Sequence, residues 1–144
     1  MIRYLTAEQL LFLHYLVMER YDEKEHGGVI FPNRFYSLVE RPKTIVFGEE
    51  IHPTLWQKAG ALVQSIVQEH PFVNGNKRTA FLALIYFLEL NGYTLQLSNE
   101  DAVELMVRFA IDDQLKGEDG PKHIGEIIKS MSVESERKHR DHPS

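Results

Sequence analysis

Chemistry is concentrated in one short stretch of this sequence, His70 to Arg78, which reads HPFVNGNKR. A histidine, a proline, an aromatic residue, a glycine and two asparagines precede two consecutive cations, Lys77 and Arg78. Pro71 must end the helix before it, because a residue ahead of proline avoids helical angles. A new helix is then expected from Asn76, with Lys77 and Arg78 in its first turn. That placement is electrostatically unfavourable. A helix N-terminus carries free N–H groups and roughly half a positive charge, so each cation there costs roughly 0.3–1 kcal/mol unless an anion lies among them. Gly75 lets the backbone turn and approach a ligand, and the N–H groups beyond it form an anion cradle. Arg78 adds a planar fork for phosphate oxygens and Lys77 a mobile point charge. His70, one short loop away, carries an imidazole, the side chain most often used as a general base that takes a proton from an attacking hydroxyl.

Each of these residues has a plainer reading. A histidine at a helix end commonly caps it, a Lys-Arg pair is commonly a solvated face, and Asn74 and Asn76 are ordinary turn and cap residues. Pro71 and Phe72 read as structural in either case, Phe72 anchoring the loop in the core. The conjunction is what singles the segment out as a polyphosphate site. Elsewhere the signals are weak. His26, His52, His123, His139 and His142 are scattered or lie in polar sequence, and read as surface or packing residues. No Walker-type loop, dinucleotide fingerprint or nucleophile elbow is present. Tyr4, Trp56 and Tyr93 read as core.

The elements that must hold this segment are largely helical. Thr6 and Gln9 have the form of a capping box ahead of a helix from about Ala7 to Arg20. Gly27, Gly28, Pro32, Pro42 and Pro53 punctuate a stretch read as loop with a small hairpin, Thr44 to Phe47 being its only extended candidate. Thr54 and Gln57 repeat the capping box for a helix that stops at about Glu69 or His70. The next runs from near Asn76 to Leu90, closed by Asn91-Gly92, and its all-round apolar body makes it the expected central helix. Ser98 and Asp101 open another through Val103, Met106, Val107 and Ala110, and a last short one is expected over Ile124 to Met131. The fold class expected is all-α with a minor hairpin.

With 144 residues and 43% hydrophobic content, the chain is sized for one domain. We place that domain at residues 3–131, followed by a polar, disordered tail over 132–144. The absence of cysteine rules out disulfides, thiolate metal sites and a thiol nucleophile, and it fits a reducing, cytoplasmic setting. No apolar run approaches the roughly 20 residues of a membrane span, and the N-terminus does not read as a signal peptide. A net charge of −5 argues against an extensive nucleic-acid surface.

The string HPFVNGNKRTA resembles the signature of the Fic/Doc family, in particular its Doc, or death-on-curing, branch. The opening IRYLTAEQLLFLH, the segment SLVERPKTIVFGEEIHPTLWQKAGALVQSIVQEHPF and the continuation FLELNGYTL resemble the same branch, so the likeness covers roughly Arg3 to Asp113. It implies a compact helical bundle with a β-hairpin flap, here around Val39 to Gly48, that positions a target segment. It implies ATP as co-substrate, His70 as general base, Phe72 as buried anchor, and Gly75, Asn76, Lys77 and Arg78 as the phosphate-binding set. Most Fic members transfer AMP to a protein hydroxyl and carry glycine at the position of Lys77. Doc-type members carry lysine and are associated with phosphoryl transfer, elongation factor Tu being the known target of the characterised toxin. The likeness therefore implies a Doc-like toxin that phosphorylates a serine or threonine of a target protein and is restrained by an antitoxin. AMP transfer on the same scaffold and a catalytically weakened protein-binding module are the alternatives. The family's acidic residue for Mg2+ is Asn74 here, which offers an amide oxygen without the charge. The family's self-inhibitory motif fails as well, because Ser132 and Glu136 are followed by Arg137.

Overall fold

A computed structural model describes residues 1–21 and 27–136. Among the described residues, six α-helices and two small two-stranded sheets make up the fold, so the all-α class expected from the sequence holds in its mostly α form. Helix α1, Ala7–Arg20, begins at the expected capping box: the Thr6 hydroxyl accepts from Gln9 N–H at 3.1 Å, and the Gln9 side chain accepts from Thr6 N–H at 2.9 Å. Helix α2, Pro32–Glu40, corrects the loop reading. Pro32 opens this helix, since its fixed φ suits the first helical position and its missing N–H is not needed there. Phe35, Leu38 and Val39 are buried from it.

A 3-10 turn, Arg41–Lys43, leads into β1, Ile45–Val46, and β2, Glu49–Glu50, which pair antiparallel with Val46 opposite Glu49. The hairpin thus occupies residues 45–50, and Val39, placed in the flap by the sequence reading, belongs to the buried face of α2. Phe47 and Gly48 form its two-residue turn with φ of 51° and 81°. Both central residues lie at positive φ, the arrangement that matches the twist of a tight hairpin.

Helix α3, Leu55–Glu69, is the centre of the molecule, which corrects the assignment of that role to the following helix. Ten successive residues, Lys58 to Val67, are buried, and α3 packs on α2, on α4 (Asn76–Leu90), on α5 (Asn99–Ile111) and on α6 (Gly120–Ser130). Apolar composition misled here, because what lets neighbours surround a helix is small side chains and satisfied polar ones. A Cβ on Gly60 would strike the Pro121 carbonyl, and one on Gly125 the Trp56 carbonyl. Buried Gln64 donates to the carbonyls of Leu115 and Gly117, both at 3.0 Å. Helix α4 buries only one side, Ala80, Ala83, Leu84, Phe87 and Leu88 among it, and leaves Phe81, Leu82, Ile85 and Tyr86 partly exposed.

Strand β3, Tyr93–Leu95, pairs with β4, Ser132–Glu134. The first residues of the expected disordered tail are therefore ordered in a sheet. Residues 137–144 lie outside those described, with Arg137, His139 and His142, as does His26. Among the described residues no helix is long and apolar enough to cross a membrane.

Candidate functional site

His70 caps α3 in the left-handed region, φ 50° and ψ 62°, and its N–H bonds back to the Ile66 carbonyl at 3.2 Å. Its side chain is exposed. The residues after it are held from two sides. Asn76 clamps the loop from below, its amide oxygen accepting from Phe72 N–H and its amide nitrogen donating to the Phe72 carbonyl, each at 3.0 Å. From the other side the segment at Gly28 to Ile30 pairs with the loop, Ile30 N–H donating to Pro71 and Gly28 accepting from Val73 N–H, both at 2.9 Å. The Phe72 ring is buried as expected, edge-on to Phe35 at 5.7 Å and stacked on His14 at 3.8 Å.

The start of α4 has the features of an anion site. Its N-cap is Gly75 at φ 72°, no side chain among the described residues caps it, and no acidic residue occupies its first turn. The first N–H groups of a helix have no partner within it. Gly75 is required twice over. Beside its positive φ, any Cβ here would collide with Met18 Cε of α1. Lys77 is half-buried and Arg78 exposed, with the Arg78 guanidinium 3.8 Å from the centre of the Tyr21 ring. That cation–π contact fixes a long side chain near the helix end at little cost in solvation. Asn76 spends both polar atoms of its side chain on Phe72, and its main-chain N–H sits at the first helical position.

Asn74 is exposed, and its side-chain oxygen accepts from Gly75 N–H at 2.9 Å. Among the described residues no group of three or more His, Asp or Glu side chains is placed to hold a metal. Magnesium relies on carboxylate and phosphate oxygens. A single neutral amide oxygen does not fit it.

The hairpin is tied to the same helix that ends in His70. Lys58 of α3, 1% exposed, donates to Glu50 at 2.8 Å and to the His52 carbonyl. Arg41 donates to Ser65 Oγ at 2.7 Å and to the Ala61 carbonyl at 3.3 Å. His52, read as a surface or packing residue, is buried just beyond the hairpin. Tyr4 packs near Phe87, and Trp56 meets Tyr93 edge-on at 4.9 Å, as core residues do.

Sequence reasoning passed over His14. It is buried on the inner face of α1 with Leu10, Leu13, Val17 and Met18, and a polar residue in such a stripe was the signal to notice. Burial pushes its imidazole down to about 4, and burial followed by the charges of Arg41 and Lys58 lowers His52. Both rings are held neutral, so the unfolded chain binds more protons than the folded one below its ordinary histidine range. Stability is therefore full above about pH 6.5 and declines as pH falls toward 4. Urea unfolding should lose on the order of 1–2 kcal/mol between pH 7 and 5 after allowance for residual solvent screening, and His14→Phe should flatten most of that slope. An unchanged slope in the variant would remove His14 as its source.

A model of the Fic/DOC family matches residues 4–88. The chain is similar to the protein named Toxin Doc of Mycolicibacterium smegmatis, 40% identical over 86 residues, an alignment covering 54% of this chain and 66% of that relative, just under two thirds of its length.

Proposed function

This chain belongs to the Fic/DOC family, and from that premise we propose that it is a Doc-like toxin that transfers the γ-phosphoryl group of ATP to a serine or threonine hydroxyl of a target protein. The observation that carries the reading is the uncapped start of α4, with Lys77 and Arg78 in its first turn, one five-residue loop from an exposed His70. Two cations at a positive helix end are stable together when phosphate oxygens lie between them. In the proposed reaction His70 takes the proton of the attacking hydroxyl. The new O–P bond forms at the γ-phosphorus as its bond to the bridging oxygen breaks, and ADP leaves with the electron pair. Charge on the transferring group is met by the α4 N–H groups, Lys77 and Arg78. The hairpin at residues 45–50 is the proposed support for the target segment, a translation factor such as elongation factor Tu being one candidate. An antitoxin is the proposed restraint, and the cytoplasm the proposed setting.

Lys77 favours phosphoryl over AMP transfer, since the AMP-transferring relatives carry glycine there. ATP labelled at the γ-phosphate should mark the target and ATP labelled at the α-phosphate should not; label from the α position alone would establish the AMP transferase instead. The neutral Asn74 supports a second reading, a protein-binding module with weakened catalysis, which predicts no label from either.

A further inference from the structure

We propose that His14 is the positioning residue of the site: it fixes the loop that follows His70 against the first turn of α4. Three separate pieces of the site meet at this one imidazole. Gly28 N–H donates to Nε2 at 3.0 Å, which makes Nε2 the acceptor and leaves the ring proton on Nδ1. Nδ1 then donates to Thr79 Oγ1 at 3.1 Å, and Thr79 follows directly on Lys77 and Arg78 in α4. The ring face lies on Phe72 at 3.8 Å with only 11° between the planes. Gly28 is the residue whose carbonyl holds Val73, so a bond made to its N–H is passed on to the loop.

The surroundings are shaped to admit this arrangement. A Cβ on Gly27 would come within 2.7 Å of Met18 Cγ and 3.2 Å of His14 Nε2, so the backbone can approach the ring only as glycine. Thr79 is fully buried, and both polar atoms of the ring are satisfied. An imidazole offers an acceptor and a donor on opposite edges of a flat stackable ring, and phenylalanine keeps the stacking while losing both bonds. The ring touches none of the proposed reacting atoms and acts through Gly28, Phe72 and Thr79.

The inference rests on the nucleotide-phosphate reading for its functional consequence but not for its structural one, and the test separates them. Amide hydrogen exchange of the nucleotide-free protein is compared for wild type, His14→Phe, Thr79→Val and His14→Gln, alongside calorimetric ATP binding. In His14→Phe, exchange at Gly28, Ile30 and Val73 should rise tenfold or more while the amides of α3 and α6 keep their wild-type rates, and ATP should bind about tenfold more weakly. Thr79→Val should weaken ATP binding with little change at Gly28, and His14→Gln, with one donor and one acceptor, should recover part of both losses. Unchanged exchange at Gly28, Ile30 and Val73, or equal acceleration across all helices, overturns the positioning role. If wild type binds no ATP yet His14→Phe loosens those three amides alone, the positioning role stands and the nucleotide reading falls.

Discussion

Replacing His70 by alanine should lower transfer of labelled phosphate by about 10²- to 10⁴-fold, the range a positioned general base supplies, with ATP affinity nearly unchanged. The side chain is exposed at the end of a helix, so little packing is lost with it. Its backbone is another matter. At φ 50° an alanine lacks the polar side chain that makes histidine and asparagine more tolerant of the left-handed region, so a shifted loop accounts for part of any loss. His70→Asn provides the control, because asparagine tolerates the left-handed region yet cannot serve as a base near neutral pH. Both variants should be equally inactive, with only the alanine variant less stable in urea. Activity surviving in either at half the wild-type rate would remove His70 from the chemistry.

The second large effect is a gain. Asn74→Asp should raise magnesium-dependent ATP affinity and phosphate transfer by roughly 10- to 100-fold. A unit charge about 4 Å from a cation contributes several kcal/mol at the effective dielectric of a protein surface, and solvent removes much but not all of this. Asn74 is exposed on the loop between Phe72 and Gly75, so the isosteric change needs no repacking. The added carboxylate keeps an oxygen for Gly75 N–H and retains another for a metal. Calorimetry with and without magnesium, followed by the labelled-ATP assay, reads the change. A variant that matches wild type in both would show that this loop position contributes nothing to metal or rate.

The expectations that held are those written in contiguous residues. Thr6 with Gln9 and Thr54 with Gln57 begin helices where their capping boxes say, because the bonds involved span three residues. The helix-loop-helix form of His70 to Arg78 was legible for the same reason, since a helix end, a loop and a helix start are all local, while the roles of its side chains belong to the proposal. What escaped depends on partners far along the chain. Strand β4 is three residues that mean nothing until Tyr93–Leu95 lies beside them, nearly forty positions back. Helix α2 hid behind a proline that breaks helices anywhere but at their start. The central place of α3 is set by Gly60 and Gly125 admitting α6, which no periodicity reports. His14 was passed over because only the meeting of Gly28, Phe72 and Thr79 around it gives it a role.

The buried ammonium of Lys58 has a consequence for how the hairpin behaves. To swing away from α3, the hairpin would have to take Glu50 and the His52 carbonyl from a cation that is 1% exposed, leaving a charge in the interior without compensation. Such a hairpin is a rail and not a door. A polypeptide that docks along it meets an edge already ordered, and the roughly 1–2 kcal/mol per residue otherwise needed to fix that backbone was met during folding. Encounter should therefore proceed in a single kinetic phase, with an association rate linear in target concentration and no slow isomerisation behind it.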